Sequence, residues 1–196
     1  MQLLKNTLLL LRFPFSFFLM PVYWFALSQQ HDVNASRAML VFVILHLLVY
    51  PSSNGYNSYM DRDEGPIGGL KHPPKVTKDL FYITVAMDMA AILLSCTISI
   101  TFAALITGYI LASRAYSYRG IRLKKFPYTG FLTVFVFQGA YIFLAVYMST
   151  GSMPVETHGL LSALAAAFVV GSIYPLRQFY QHEGDKKEGV ITMVYK

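Results

Sequence analysis

Long apolar segments alternate with short polar segments along the whole chain of 196 residues. A membrane-spanning helix needs about 20 predominantly apolar residues, and the apolar segments approach that length. The pattern therefore predicts an all-α fold, a polytopic transmembrane helix bundle of about six helices in which residues 1–196 form a single membrane domain. The apolar segments are 7–28 (interrupted by Arg12), 38–53, 80–98, 101–116, 129–149 and 158–176.

The amino-acid composition agrees with a membrane protein. Hydrophobic residues make up 55% of the chain and charged residues only 13%, whereas about a quarter of the residues of a soluble domain are charged. The charged residues of segment 80–116 are only Asp88 and Arg114. This segment is interpreted as two helices joined by a tight turn near Thr97–Thr101.

The distribution of Lys and Arg indicates how the helices are oriented. With about six spans the connections alternate between the two sides of the membrane, and of the 16 Lys and Arg residues all except Arg37 fall on one side. The positive-inside rule places that side in the cytoplasm. The net charge of +6 is thus explained by topology. It does not indicate binding to nucleic acid, because the chain has no soluble basic domain.

A polar segment with several acids follows the second apolar segment. If the second helix continues past Pro51, then Asn57, Asp61 and Glu64 lie on one face, at positions i, i+4 and i+7. Asp63 points elsewhere unless the helix has already ended. Carboxylate and amide oxygens suit Mg²⁺, which proteins commonly hold with one or two carboxylates together with substrate phosphates. The segment is therefore a candidate metal and diphosphate site.

A second acidic segment follows the sixth apolar segment. Gln181 and Asp185 are one helical turn apart, so both can face the same cavity. Lysines follow both acidic segments and could neutralise further phosphate charge. These are Lys71 and Lys75 after the first segment, and Lys186 and Lys187 after the second.

A third polar segment lies between the fourth and fifth apolar segments, on the same side as both acidic segments. It runs from Tyr116 to Lys125, and a short basic loop of this kind could close over a bound diphosphate. Its basic residues are Arg119, Arg122, Lys124 and Lys125.

The two acidic segments resemble motifs of the UbiA family of membrane prenyltransferases. Asn57-x-x-x-Asp61 is similar to the first aspartate-rich motif, and Gln181-x-x-x-Asp185 is similar to the second. The chain departs from the family pattern where the motifs usually carry further acids. It has Ser58, Gly65 and Gln181 at those positions.

Two further landmarks of the family occur in the expected order. The loop between the fourth and fifth helices and the start of the first helix both resemble family sequences. The matching residues are Tyr116-Ser117 with Arg122-Leu123-Lys124, and Arg12 with Pro14 and Ser16. The family fold has about nine helices, so the resemblance covers its N-terminal two-thirds. The domain is accordingly expected to be incomplete at its C-terminus.

The resemblance implies an intramembrane prenyltransferase that moves an isoprenoid group from an allylic diphosphate to an aromatic or lipid-like hydrophobic acceptor. Mg²⁺ and cationic side chains would stabilise the departing diphosphate, and aromatic faces would stabilise the allylic cation. The implied metal ligands are Asn57, Asp61, Asp63, Glu64 and Asp185. The implied catalytic residues are Asp61, Asp185 and Lys124. The implied substrate-binding residues are Asn57, Lys71, Arg122, Tyr116 and Arg12. The aromatic residues expected beside the cation are Tyr56, Tyr59 and Tyr116.

Two other interpretations stay open from the sequence alone. The reduced number of acids and helices is compatible with a non-catalytic or degenerate UbiA-like membrane protein. An ion or solute transporter is less favoured; in it Asp88 and the two acidic segments would form an ion path. Asp88 is otherwise expected to be a buried polar contact, because an ionisable residue within a span is costly and needs a partner.

Overall fold

Six helices follow one another in the part of the chain that the structure describes, and they confirm the all-α prediction. The computed structural model describes residues 2–62, 65–68 and 70–179, with side chains described between residues 5 and 174. Helix α1 consists of Gln2–Leu11, Phe13–Ser16, Phe17–Leu19 and Met20–Ser28, and α2 consists of Ala35–Phe42, Val43–Val49 and Tyr50–Asp61. Helix α3 is Lys78–Cys96, and α4 is Ile100–Ser117. Helix α5 consists of Pro127–Thr133, Val134–Tyr141 and Ile142–Thr150, and α6 is Thr157–Phe179.

The helices have the length and composition of a multi-pass membrane protein. Five segments of the described chain are long and apolar enough to cross a membrane: Lys5–Ser28, Ala35–Asp61, Lys78–Cys96, Pro127–Thr150 and Thr157–Tyr174. Helix α4 is not in this set; it has 18 residues, and Arg114 lies in its last turn. It packs antiparallel against α3, across the tight turn predicted near Thr97–Thr101.

Helix boundaries are set by the residues that the sequence places there. Asn34 begins α2 by accepting a hydrogen bond from the Arg37 N–H at 3.0 Å, and Ser99 begins α4 by accepting one from the Phe102 N–H at 3.0 Å. Side chains of this type satisfy backbone donors that a helix leaves free at its start. Helix α1 is interrupted at Arg12, whose φ of 48° is left-handed.

Two helices contain a π-helical segment near their middle: Val43–Val49 in α2 and Val134–Tyr141 in α5. A π turn closes its hydrogen bonds between residues five apart and holds one more residue than an α turn. Such segments frequently occur at functional sites. His46 and Gln138 lie within them, and His46 is fully buried.

The core forms where α2, α4 and α5 meet. Apolar side chains that are fully buried there include Ile44, Leu45, Ile106, Ile142 and Phe143. Large apolar side chains are also exposed on the outer faces of the helices, where a bilayer replaces water and backbone polar groups are satisfied within each helix. Among them are Phe18, Leu93, Ile100, Leu161 and Phe168.

Helices α5 and α6 approach closely at Gly139. A Cβ atom on Gly139 would overlap the Ala167 backbone, with the Ala167 nitrogen at 2.9 Å. Small residues at a helix interface allow this approach, which is how membrane helices gain packing energy. The backbone of α6 cannot move away without separating the two helices.

Replacing Gly139 with alanine is therefore expected to destabilise the bundle by about 1–3 kcal/mol through overpacking. The measurement is the free energy of unfolding in mixed detergent micelles. Gly159→Ala on α6 is the matched control, since a Cβ there meets only the Tyr147 side chain at 3.6 Å. That control is expected to be neutral or slightly stabilising. Equal stabilities of the two variants would contradict the tight α5–α6 contact.

Candidate active site

The C-terminal part of α2 carries Asn57 and Asp61 on one face, as predicted. The helix continues through Pro51 and ends at Asp61. Arg62 ends it in the left-handed conformation, with φ 55°, and its N–H donates to the Ser58 carbonyl at 3.0 Å. Both polar side chains therefore belong to a regular helix end, which fixes their separation at one turn.

The connection from α4 to α5 brings two basic side chains towards this helix end. The Tyr118 N–H donates to the Arg114 carbonyl at 2.7 Å, and the Arg122 N–H donates to the Tyr118 carbonyl at 2.6 Å. Arg122 adopts a left-handed conformation with φ 47°, and a short 3₁₀ turn over Leu123–Lys125 follows. The loop is thus compact, and it presents Arg122 and Lys124 to α2.

These residues form one ionic group, the polar cluster, which consists of Asn57, Asp61, Ser117, Arg122 and Lys124. Lys124 Nζ contacts the Asp61 carboxylate and lies 3.2 Å from Asn57 Oδ1. Arg122 Nη2 lies 3.6 Å from Asp61 Oδ1, and Ser117 Oγ donates to Asn57 Oδ1 at 2.8 Å. The Asp61 side chain is only 6% exposed. A buried carboxylate is strongly destabilising without partners, so the two cations are needed to keep it there.

The polar cluster can hold a cation between oxygen atoms. Lys124 Nζ already lies between an amide oxygen of Asn57 and a carboxylate oxygen of Asp61, and both are ligand types that Mg²⁺ uses. Asp61 Oδ1 is buried and accepts no hydrogen bond from the described residues, so it retains capacity to bind a cation. The donor set therefore fits part of a Mg²⁺ site.

The other predicted ligands cannot be placed against this pair. Within residues 2–62, 65–68 and 70–179 there is no group of three or more His, Cys, Asp or Glu side chains that could hold a metal ion. Several predicted site residues lie outside the described part of the chain. They are Asp63, Glu64, Gln181, Asp185, Lys186 and Lys187.

The remaining predicted substrate-binding residues occupy different surroundings. Arg12 Nη2 donates to the Asn54 carbonyl at 3.3 Å, one turn before the polar cluster on α2. The Tyr116 hydroxyl, next to Ser117, lies 3.0 Å from that of Tyr174 on α6. Lys71 is exposed in the connection between α2 and α3. Arg12 thus contacts α2, which carries Asn57 and Asp61; Tyr116 precedes Ser117 on α4 and contacts α6, whereas Lys71 lies at the surface.

The tyrosines expected beside an allylic cation make other contacts. The Arg114 guanidinium lies over one face of the Tyr56 ring, 3.9 Å from the ring centroid. The Tyr59 ring packs against Phe81 at a centroid distance of 5.3 Å. These contacts join α2 to α3 and α4, so both rings have a packing role.

A buried ion pair not expected from the sequence links α3 to α4. Arg114 Nε donates to Asp88 Oδ2 at 2.9 Å, and Arg114 Nη2 donates to Ser52 Oγ at 3.1 Å. Ser52 Oγ donates in turn to Asp88 Oδ1 at 2.6 Å. Asp88 is thus a buried polar contact, as the sequence favoured. Ser52 lies on α2 and bonds to both charged residues, so the ion pair also links α3 and α4 to α2.

The sequence does contain a signal for this ion pair. Asp88 and Arg114 are the only charged residues of segment 80–116, and a tight turn lies between them. Two helices joined by such a turn pack against each other, so a long charged side chain on one can reach a charge on the other. Opposite charges within a span pair with one another, so the turn and the two charges together indicate the contact.

Comparison with known proteins agrees with the helix arrangement. The model of the UbiA prenyltransferase family matches residues 18–196. A solved UbiA homolog from Archaeoglobus fulgidus, bound to DMAPP and Mg²⁺, has a TM-score of 0.81 and 19% identity, covering 97% of this chain and 68% of that chain. A second structure of a UbiA homolog from that organism, bound to Cd²⁺, has a TM-score of 0.72 and 19% identity, covering 94% and 66%.

The comparison with curated proteins found no match. The TM-scores show that the solved structures share the fold of this chain. Because their sequence identity is only 19%, the likeness shows the fold alone. The family model covers most of the sequence, including every helix from the second half of α1 onwards. The chain belongs to the UbiA prenyltransferase family.

Proposed function

We propose that this protein is a Mg²⁺-dependent intramembrane prenyltransferase, which moves an isoprenoid group from an allylic diphosphate to a hydrophobic acceptor. The observation that carries the proposal is the polar cluster, where Asn57 and Asp61 lie against Arg122 and Lys124 at one end of the bundle. Family membership supports the reaction class. The solved homolog bound to DMAPP and Mg²⁺ supports the class of donor substrate.

In this proposal Asn57 and Asp61 would hold Mg²⁺, together with Asp63, Glu64 and Asp185. Mg²⁺ at that place would supply charge that neutralises part of the diphosphate. Lys124 leaves the oxygens of Asn57 and Asp61 and binds a diphosphate oxygen instead. Arg122 also lies beside Asp61, so it would bind an outer oxygen of the same diphosphate.

The chemistry needs little from the protein beyond charge and exclusion of water. The allylic carbon–oxygen bond breaks, and its electron pair leaves with the diphosphate, whose charge Arg122 and Lys124 stabilise. The acceptor then forms a bond to the allylic carbon and loses a proton, which the departed diphosphate accepts. The interior of the helix bundle keeps water away from the allylic cation.

The polar cluster is proposed to face the cytoplasm. Every Lys and Arg except Arg37 falls on the same side in the six-span topology, and the positive-inside rule assigns that side. The isoprenoid and the acceptor would then enter from the bilayer, while the diphosphate leaves to the aqueous side.

A transport function has less support. An ion path through the bundle would use Asp88, but its carboxylate is bound to Arg114 and Ser52. Both oxygens of that carboxylate therefore have partners among the described residues. A non-catalytic relative that binds diphosphate without turnover is separated from an enzyme by an assay for released diphosphate.

The experiment that tests the proposal is binding of a non-reactive allylic thiodiphosphate to the full chain in detergent, with Mg²⁺ and with EDTA. Binding that needs Mg²⁺ and is lost in Asp185→Ala supports the proposed site. Incubation with the reactive diphosphate then tests for Mg²⁺-dependent release of diphosphate. A folded protein that does not bind the analogue would overturn the proposal, and binding without release would identify a non-catalytic relative.

Replacing Lys124 with glutamine is expected to weaken binding of the thiodiphosphate by about 10- to 100-fold, the effect of losing one charge-assisted contact. Binding of Mn²⁺ alone, followed by its electron paramagnetic resonance signal, is expected to be unchanged or tighter, because the ammonium no longer competes for the oxygens of Asn57 and Asp61. Lys125→Gln is the control, since Lys125 is exposed. Equal effects of the two substitutions would rule out a specific role for Lys124.

A further inference from the structure

Helices α2 and α4 lie side by side and run in the same direction towards the polar cluster. The hydroxyl groups of Ser53 on α2 and Ser113 on α4 are in contact. One turn further along both helices, Ser117 Oγ donates to Asn57 Oδ1 at 2.8 Å. Both pairs are 60 residues apart in the sequence, so they follow from a single register of α4 against α2. Asn57 and Ser117 belong to the polar cluster, which therefore forms in this register.

Arg114 follows Ser113 on α4 and is held from the side of α3. Its Nε donates to Asp88 Oδ2 at 2.9 Å, and its Nη1 donates to Thr84 Oγ1 at 3.4 Å. The side chains of Arg114 and Asp88 are only 18% and 12% exposed. Two charges at that depth stay together, because separating them would leave each one desolvated without a partner. The ion pair thus fixes the end of the Arg114 side chain relative to α3.

Arg114 is also held from the side of α2. Its Nη2 donates to Ser52 Oγ at 3.1 Å, and its Cζ lies 3.9 Å from the centroid of the Tyr56 ring. A guanidinium group is planar, and its N–H donors point in fixed directions. Partners on two sides therefore constrain both the position and the orientation of the group. Neutralising the charge of Asp88 would require only the contacts on the α3 side.

The end of α4 connects Arg114 to the loop that carries Lys124. The Tyr118 N–H donates to the Arg114 carbonyl, and the Tyr118 carbonyl accepts from the Arg122 N–H. Lys124 lies in the 3₁₀ turn that follows, and its Nζ contacts the Asp61 carboxylate. A slip of one residue along a helix corresponds to a rise of about 1.5 Å and a rotation of about 100°. A slip of α4 against α2 would therefore separate Lys124 from Asp61.

We propose that Arg114 is a positioning residue for the polar cluster. Held between α3 and α2, it keeps α4 in the register that places Lys124 against Asp61. The alternative is that the Asp88–Arg114 pair contributes stability alone. The two differ in the result expected when both charges are removed and stability is kept. The inference concerns residues of this chain, and only its consequence for diphosphate binding rests on the proposed function.

The test is the rate at which acetic anhydride modifies Lys124, measured by mass spectrometry on the full chain in detergent. The exposed Lys125 is the internal reference. The Lys124 amine reacts when it is free of the Asp61 carboxylate, so the ratio of the two rates reports how firmly that contact is held. Asp61→Asn releases the amine directly. It is expected to raise the ratio by about 10-fold or more, the effect of losing one charge-assisted hydrogen bond.

Two variants remove contacts of Arg114. Asp88→Leu combined with Arg114→Met leaves no buried charge unpaired, so it is expected to keep most of the stability of the wild type. It is nevertheless expected to raise the ratio by about 3- to 10-fold, the effect of losing one or two hydrogen bonds. Tyr56→Leu keeps both charges and removes the ring beside Arg114. The expected rise is about 2- to 5-fold, the effect of one cation–π contact.

A destabilised control separates positioning from stability. Gly139→Ala is expected to lower stability through the contact between α5 and α6, where a Cβ would overlap the Ala167 backbone. That contact lies outside the α2–α4 register. The ratio of the Lys124 and Lys125 rates is therefore expected to stay at the value of the wild type.

A disulfide between α2 and α4 separates register from charge. Cys96 is the one cysteine of the chain, so Ser53→Cys and Ser113→Cys are introduced together with Cys96→Ser. A disulfide needs β-carbons about 4 Å apart, and the contact between the two hydroxyls indicates that it will form on oxidation. In the variant without the two charges, this disulfide is expected to restore the low ratio of the wild type. Reducing the disulfide is expected to raise the ratio again.

The proposal is overturned if the variant without the two charges folds and keeps the ratio of the wild type, or if Gly139→Ala raises the ratio as much. If the former does not fold, an unchanged ratio in Tyr56→Leu overturns it instead. A disulfide that does not form in the otherwise unchanged chain, or that forms without restoring the ratio, also contradicts it. None of these readings uses the diphosphate or a metal. A failure of diphosphate binding would therefore count against the proposed function and leave this result independent.

Discussion

Replacing Asp61 with asparagine is expected to remove Mg²⁺-dependent binding of an allylic diphosphate almost entirely and to lower turnover by at least about 100- to 1,000-fold. Loss of one group that stabilises developing charge has effects of that size. The structure adds a specific reason, because Asp61 is the residue that Arg122 and Lys124 share. Its loss removes a candidate metal ligand and also leaves two basic side chains without their anion.

The measurement is titration of the folded variant with the thiodiphosphate at fixed Mg²⁺, together with a product assay. Asp79→Asn is the matched control, since Asp79 is an exposed acid in the first turn of α3. That control is expected to behave as the wild type. In the double variant Asp61→Asn with Lys124→Gln, the loss of binding free energy is expected to be much smaller than the sum of the two single losses, because residues in direct contact are coupled. Normal binding by Asp61→Asn would exclude the polar cluster as the diphosphate site.

Replacing Asp88 with leucine is expected to destabilise the bundle by about 3–5 kcal/mol, more than Gly139→Ala does. That is the usual effect of removing one partner of a buried ion pair. Arg114 would keep its charge inside the bundle, with Ser52, Thr84 and the Tyr56 ring as its remaining close partners. The free energy of unfolding in mixed micelles, with dodecyl sulfate as denaturant, measures the effect.

A double variant separates the ion pair from simple packing. Asp88→Leu combined with Arg114→Met is expected to recover most of the lost stability, because replacing both charges with apolar side chains leaves no charge unpaired. If Asp88→Leu alone lowers the free energy of unfolding by less than about 1 kcal/mol, the ion pair is hydrated and contributes no more than a surface ion pair.

The helices were predictable from the sequence because the bilayer imposes a length on every apolar segment. The face shared by Asn57 and Asp61 was predictable for a related reason, since a helix that passes Pro51 places them one turn apart. Their contact with Lys124 depends on a compact loop with Arg122 in a left-handed conformation. Local sequence does not determine such a conformation in a residue other than glycine.

Other features depend on distant parts of the chain meeting. The buried polar atoms of Ser16, Tyr50 and Gln138 come from three different helices, and periodicity within one helix carries no information on how those helices meet. A hydrophobic pattern with 3.6 residues per turn does not indicate the π-helical segments either. The predicted roles of Asp63, Glu64 and Asp185 stay predictions, because these residues lie outside the described part of the chain.

The π-helical segment Val43–Val49 of α2 has a consequence for the lengths that relatives of this chain are expected to tolerate. Its turn holds one residue more than an α turn, so deletion of one residue there can restore an α-helix and leave the face of Tyr50–Asp61 unchanged. The same deletion between Tyr50 and Asn57 would rotate the later side chains by about 100° relative to the earlier ones. Gaps in alignments of relatives are therefore expected within Val43–Val49 and not between Tyr50 and Asp61.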